Sequence, residues 1–190
     1  MSPTFIARHA LLSDEGYLTE AIQHALDAVK IGNEISSPNL GSYGNGYLAL
    51  ARLYSGDLSA GRAAAEAACQ YDEPQNNHYV STLLGVIALR QGNQTAARQS
   101  FTVAMDHVET LLSAYAQNYE ALDSKGLALC GLALTEDPKR IAEAVAAYGA
   151  ARAITKATGI VQRVLRLFDA LAQAEPHGVL APVRAAAAGE

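Results

Sequence analysis

The chain has no tryptophan, only two cysteines among its 190 residues, and a shortage of positive charge. Its 14 Lys and Arg residues against 19 Asp and Glu give a net charge of −5. This balance argues against a nucleic-acid partner, because neutralising phosphates requires an excess of Lys and Arg on some face. Cys69 and Cys130 are far apart in the sequence, so we expect two buried free thiols rather than a disulfide.

Targeting and membrane signals are also missing from the sequence. Residues 1–8 contain no basic region followed by an apolar stretch, so we expect no signal peptide. No run approaches the roughly 18 apolar residues that a membrane span needs. We therefore expect a cytoplasmic protein that makes no membrane contact.

Alanine and helical periodicity dominate what is present. Half of the residues are apolar and 38 are alanine, the strongest helix former and a small packing residue. No sustained alternation typical of strands occurs, so we predict an all-α protein. The predicted helices cover residues 17–31, 47–54, 58–71, 76–90, 94–116, 119–134, 139–155 and 159–173. We expect a loop at 36–46, where Pro38 and three glycines lie, and a frayed helix near the end of the chain.

The predicted helix at 159–173 carries a broad apolar face. Ile160, Val164, Leu165, Phe168 and Leu171 recur at helical spacing, with charged and amide side chains between them. Each large side chain gains about 1.5–3 kcal/mol on burial, which far exceeds what helix propensity supplies. We therefore expect this helix to dock against another surface.

Small residues recur at corresponding places in successive predicted helix pairs. One pair has Leu84, Gly85 and Ala88, the turn residue Gly92, and then Ala97, Phe101 and Ala104. In the preceding pair, the corresponding residues are Leu48, Ala49 and Arg52, the turn residue Gly56, and then Gly61, Ala65 and Ala68. In the following pair, they are Gly126, Leu129, Ala144, Tyr148 and Ala151. Two helices approach closely where one presents Gly or Ala and the other a larger side chain, which explains the pattern.

This pattern resembles the tetratricopeptide repeat (TPR) family. The resemblance implies a right-handed superhelical array of antiparallel helix pairs, an α-solenoid, over residues 1–175, with a C-terminal tail at 176–190. The repeats would cover about 3–35, 42–74, 77–117 and 119–156, followed by a terminal helix at 159–173. Corresponding positions Ala21, Gly61, Ala97 and Ala144 are 40, 36 and 47 residues apart, longer than the usual period of about 34. Such unequal repeats are similar to those of bacterial signal-transduction ATPases and MalT-like regulators.

The resemblance also implies a binding groove on the inner face, lined by the first helix of each pair. The positions that match this face and that we take as candidate partner-binding residues are Tyr43, Leu50, Tyr54, Tyr79, Thr82, Val86, Arg90 and Asp123. Tyrosine suits such a surface because it buries a large area at low entropy cost and keeps a polar end. For the tyrosines, packing between repeats is the alternative.

Catalytic and cofactor motifs are not found in the sequence. The five histidines and two cysteines form no metal-ligand spacing, so we expect no metal. The glycine-rich stretch 41–46 lacks the Lys-Ser/Thr of a phosphate loop and is interpreted as a flexible turn. Asn76 and Asn77 are interpreted as helix caps, with contact to a partner as the alternative. We expect no cofactor and no enzyme activity.

The sequence therefore favours a bacterial, cytoplasmic protein-interaction module, acting as a scaffold or sensor for a protein or peptide ligand. One alternative is the regulatory part of a larger signal-transduction ATPase or transcription regulator, because the first helix of the first repeat would be short and the sequence begins almost inside it. A second alternative is self-assembly, in which the apolar terminal helix docks on another copy and forms a homodimer.

Overall fold

A computed structural model describes residues 15–190 of the chain. Within this range the chain forms nine α-helices and no strand, so the all-α prediction is confirmed there. The helices are α1 (Glu15–Glu34), α2 (Pro38–Ser55), α3 (Leu58–Ala68), α4 (Pro74–Arg90), α5 (Gln94–Ala114), α6 (Tyr119–Thr135), α7 (Arg140–Ile154), α8 (Thr158–Ala172) and α9 (Ala181–Ala188). The part of the first predicted repeat before residue 15 lies outside the described residues.

The predicted loop at 36–46 is wrong, because most of it belongs to α2. Pro38 stands in the first turn of this helix, where a missing N–H costs nothing, and the Oγ of Ser37 accepts a bond from the N–H of Leu40 at 3.4 Å. The flexible turn expected at 41–46 is likewise a helical turn. Proline and glycine therefore mark a helix start and a packing surface here rather than a loop.

The glycines of α2 are packing positions. A methyl group on Gly41 would lie 2.3 Å from the ring of Tyr71, and one on Gly44 would lie 3.1 Å from the backbone nitrogen of Val29 on α1. Both glycines are buried. Their missing side chains let neighbouring elements come close, and this contact offsets the low helix propensity of glycine.

Two glycine turns connect successive helices as the sequence predicts. Gly56 and Gly92 both have positive φ, 82° and 76°, which glycine adopts without a steric penalty. A new helix begins two residues after each glycine. The intervening residue, Asp57 or Asn93, caps this helix through a side-chain oxygen. These two short turns reverse the chain between α2 and α3 and between α4 and α5.

Each helix from α1 to α6 contacts the helix that follows it in the chain. Alternate helices also contact each other, α2 with α4 and α4 with α6. Glycines opposite aromatic rings make the closest approaches: a methyl group on Gly85 or Gly131 would lie 2.6 Å or 2.1 Å from the ring of Phe101. The predicted pairing of a small residue with a large one is therefore present in the core.

The start of α7 differs from the prediction. Asp137 and Pro138 lie in the gap predicted between the helices at 119–134 and 139–155, but they form a turn and the second helix begins at Arg140. The carboxylate of Asp137 accepts a bond from the N–H of Lys139 at 3.0 Å, so it stabilises this turn and does not cap the helix.

Helix α8 docks within its own chain, as its apolar face predicts. Leu167, Phe168 and Leu171 are buried, and α8 contacts α4 and α6. The chain then turns back, and α9 packs on α7 with Val183 and Ala187 buried. The segment expected to fray is thus a helix that contributes to the core.

The two cysteines are both free, as expected, but only one is buried. Cys130 lies inside α6 without exposure, whereas Cys69 is exposed at the end of α3 because this helix stops before residue 71. None of the helices within residues 15–190 has an apolar stretch long enough to pass through a bilayer.

Candidate functional site

A cavity of about 150 Å³ lies where one face each of α2, α4 and α6 meets α8. Tyrosine side chains make up much of its wall, and we call it the tyrosine-lined cavity. The five tyrosines that line it are Tyr43, Tyr47, Tyr54, Tyr79 and Tyr148.

Helical spacing brings the lining residues of each helix to one side. Helix α2 contributes Tyr43, Tyr47, Leu50 and Tyr54, which are four, three and four residues apart. Residues three and four apart lie on the same face of a helix, so these side chains form a continuous stripe. The α4 stripe runs from Gln75 through His78 and Tyr79 to Thr82, and the α6 stripe from Glu120 through Asp123 to Leu127.

Exposed polar residues surround the opening of the cavity. Gln75, Glu120 and Arg163 are exposed members of its lining. Arg163 on α8 donates a hydrogen bond to the Glu120 carboxylate at 3.3 Å, and both side chains are about half exposed. Because exposed ion pairs contribute only about 0–1 kcal/mol, this pair links α8 to α6 weakly.

The tyrosine rings contact one another and the cations of α8. The rings of Tyr43 and Tyr47 have centroids 6.4 Å apart, and the guanidinium of Arg166 lies 4.4 Å from the ring centroid of Tyr54. The last distance is typical of a cation–π contact. Burial raises the pKa of the Tyr54 and Tyr79 hydroxyls, so both remain protonated at neutral pH.

A buried ion pair lies beside the cavity. Asp123 on α6 accepts a hydrogen bond through Oδ1 from Arg152 on α7, and only 8% of Asp123 and 3% of Arg152 are exposed. Desolvation raises the pKa of Asp123 to about 6 and outweighs the opposing effect of the Arg152 guanidinium. The other carboxylate oxygen, Oδ2, has no hydrogen-bond partner among the described residues.

Two further buried polar groups border the same space. The hydroxyl of Tyr148 and the Nδ1 of His78 lack hydrogen-bond partners within the part of the chain that the structure describes. Burial lowers the pKa of His78 to about 4, with Glu120 acting in the opposite direction and His107 in the same one. The imidazole is therefore neutral at pH 7, and it adds no positive charge to the cavity.

Six of the eight residues that the sequence suggested for partner binding line the tyrosine-lined cavity, and the other two lie elsewhere. Val86 is fully buried in the core. Arg90 donates a hydrogen bond to the backbone carbonyl of Ala170 at 3.2 Å, near the end of α8. The six residues that line the cavity are Tyr43, Leu50, Tyr54, Tyr79, Thr82 and Asp123.

The interpretation of Asn76 as a helix cap is wrong. The helix begins at Pro74, so Asn76 lies within its first turn, buried, and its amide donates to the Ser42 hydroxyl at 2.9 Å. This bond joins α4 to α2 beside the cavity. Asn77 also lies inside the helix, and its side-chain oxygen accepts a bond from the N–H of Glu73 at 3.2 Å.

Several residues of the site were not among the eight candidate partner-binding residues. His78, Tyr148, Arg163, Val164 and Leu167 all line the cavity. Spacing along α4 could have identified His78, which is one turn before Thr82. The α8 residues carry no such signal, because their place depends on how the terminal helix docks.

Residues 15–190 contain no group of three or more His, Cys, Asp or Glu side chains arranged to hold a metal ion. Comparisons of the chain with protein-family models, with curated proteins and with solved structures found no match.

Proposed function

We propose that the chain is a non-catalytic interaction module of the tetratricopeptide type, which binds a protein or peptide segment on the face formed by α2, α4 and α6. In this proposal the helices form a right-handed superhelical array of antiparallel pairs, α2 with α3, α4 with α5 and α6 with α7. The first helix of each pair then contributes to one inner face.

The observation that carries the proposal is that corresponding stripes of three alternate helices line a single cavity. Contacts of α2 with α4 and of α4 with α6 support the array, because stacked pairs bring their first helices side by side. The cavity combines tyrosine rings with a few buried polar groups, a composition typical of recognition sites.

Self-assembly through α8 is the weaker alternative. The apolar side chains that suggested it, Leu167, Phe168 and Leu171, are buried within the same chain. They are therefore already covered without a second copy. A regulatory role inside a larger ATPase or transcription regulator is compatible with the same binding face.

Selection of peptides from a random display library on the purified protein tests the proposal. The retained peptides are then measured by calorimetry against Tyr43→Ala and against Tyr115→Ala. Tyr43 lines the cavity, whereas Tyr115 is 61% exposed at the end of α5 and does not line the cavity, which makes it a matched control.

We expect Tyr43→Ala to weaken peptide binding at least about tenfold, because buried tyrosine anchors contribute about 2 kcal/mol or more. Tyr115→Ala should bind like the unchanged protein. Equal binding by both variants, or failure to retain any peptide, would contradict the proposal.

A further inference from the structure

Three residues that line the tyrosine-lined cavity each carry a buried polar atom that lacks a partner among the described residues. These atoms are Oδ2 of Asp123, the hydroxyl of Tyr148 and Nδ1 of His78, and each of these residues is at most 8% exposed. Buried polar atoms are nearly always hydrogen-bonded to protein, water or ligand. Their concentration around one cavity indicates a place where a bound molecule supplies the missing bonds.

The chemistry of Asp123 specifies what this molecule must offer. Oδ1 already accepts a bond from Arg152, which is not part of the lining. An ionised carboxylate only accepts hydrogen bonds, so the partner of Oδ2 is a donor. The hydroxyl of Tyr148 can accept a second bond from the same group.

Aromatic surface favours a positively charged donor. The two carboxylates of the lining, Asp123 and Glu120, are each paired with an arginine and His78 is neutral, so these groups carry no net charge. Five tyrosine rings surround the space, and ring faces attract cations. Arg166 already makes such a contact with Tyr54 at one side of the cavity.

The size of the cavity selects a thin ligand. A cavity of about 150 Å³ accommodates a molecule about as large as benzene. Leu50, Leu127 and Leu167 also line it and suit the methylene chain of an alkylamine. A lysine side chain has this combination of an apolar stem and a charged end.

We propose that the tyrosine-lined cavity binds a primary ammonium group at Oδ2 of Asp123, with tyrosine rings around the charge and leucines along the alkyl stem. The group comes from a lysine side chain of the partner or from a free alkylamine. This inference rests on the binding role proposed above and adds the chemistry that the site recognises.

Titration with three small probes of similar size, followed by NMR, tests the ammonium specificity. The probes are n-butylammonium chloride, n-butanol and sodium butyrate. We expect n-butylammonium to bind at least about tenfold more tightly than the other two, because charge-assisted hydrogen bonds and cation–π contacts favour it. Absence of n-butylammonium binding, or equal binding of the alcohol, overturns the proposal.

Two pairs of variants locate the binding site. Asp123→Asn should abolish the preference for n-butylammonium, and Asp106→Asn, at an exposed position of α5, should keep it. Tyr43→Leu should weaken ammonium binding severalfold, whereas Tyr115→Leu should not. The Tyr43 pair decides the question if Asp123→Asn does not fold. Unchanged preference in a folded Asp123→Asn, or unchanged n-butylammonium binding in Tyr43→Leu, contradicts the assignment.

Peptides selected for the proposed function distinguish the source of the ammonium group. Replacing each lysine of a retained peptide by norleucine keeps the stem and removes the charge. A loss of binding identifies a lysine of the partner as the ligand. Tight n-butylammonium binding without any retained peptide identifies a free amine and contradicts only the protein-binding role. Peptide binding that depends on Tyr43 but not on lysine, without n-butylammonium binding, contradicts only the ammonium proposal.

Discussion

The helix pairs α4–α5 and α6–α7 use the same packing contact but differ in what they add to it. In the first pair Gly85 lies against Phe101, and in the second Gly126 lies against Tyr148; a methyl group added to either glycine would lie 2.6 Å from the ring. The sequence separations are 16 and 22 residues, so six additional residues in the second pair leave the contact intact.

The two rings differ in chemistry, phenylalanine in the first pair and tyrosine in the second, and only the tyrosine lines the cavity. Phe101 lies between two glycines, Gly85 and Gly131, in the hydrophobic core and does not line the cavity. Tyr148 lines the cavity and carries a hydroxyl that has no partner among the described residues. The same glycine–ring contact therefore stabilises both pairs, and in the second pair its ring also carries the hydroxyl that belongs to the proposed binding site.

The largest expected effect is on the pH dependence of stability, which should have opposite directions for a residue of the first pair and a residue of the second. His78 of α4 has a pKa lowered to about 4, so its contribution to stability is lost as pH falls from 6.5 to 4. Asp123 of α6 has a pKa raised from 3.8 to about 6, so its contribution is lost as pH rises through that interval. Each changes the free energy of unfolding by roughly 3 kcal/mol, with opposite sign.

Urea unfolding across this pH range tests whether His78 and Asp123 contribute to stability with opposite pH dependence. Relative to the unchanged protein, His78→Gln should become less stable as pH rises, because only the Asp123 effect remains. Asp123→Asn should become relatively more stable as pH rises. Other titrating groups are common to all three proteins and cancel in the differences. Parallel pH curves for the three proteins would contradict these pKa directions.

An intermediate effect on stability is expected from replacing the glycine of each glycine–ring contact by alanine. Gly85→Ala and Gly126→Ala should each lower the free energy of unfolding by about 1–3 kcal/mol, because the new methyl group overlaps an aromatic ring. Gly149→Ala is the control: no atom lies within 4 Å of the added methyl, and helix propensity should raise stability by about 0.5–1 kcal/mol. Chemical denaturation that gives all three the same gain would show that the contacts are absent.

The smallest effect is expected from exchanging the two ring types. Tyr148→Phe removes a buried hydroxyl that makes no bond, so stability should stay constant or rise by up to about 1 kcal/mol. Phe101→Tyr adds such a hydroxyl to the apolar core and should lower stability by about 1 kcal/mol or more. A clear loss in Tyr148→Phe, measured by urea unfolding without ligand, would mean that its hydroxyl already makes a stabilising bond.

The helices were largely predictable from the sequence, and the main error has a physical cause. Apolar spacing identified most helices within a few residues, and Gly56 and Gly92 marked true turns. Glycines at 41, 44 and 46 led to a loop prediction because local propensity disfavours glycine in helices. Only tertiary contacts, such as Tyr71 against Gly41, reveal that Gly41 and Gly44 make room for neighbours.

The residues that α2, α4 and α6 contribute to the candidate site were predictable from the sequence, and those that α8 contributes were not. The resemblance to a repeat family suggested Tyr43, Tyr79 and Asp123, all of which line the cavity. Arg163 and the neighbouring α8 residues enter from a helix far along the chain, whose docking place no local pattern specifies. The unbonded atoms of Asp123 and Tyr148 depend on side-chain geometry and have no sequence signal.

The position of α8 restricts what can reach the interior. Arg90 holds the end of this helix through the Ala170 carbonyl, and Leu167 and Phe168 bury its apolar face. The cavity beside it has a volume of about 150 Å³, which suits a single slender side chain. A folded partner would therefore engage the protein through one protruding residue, with the rest of its surface remaining outside.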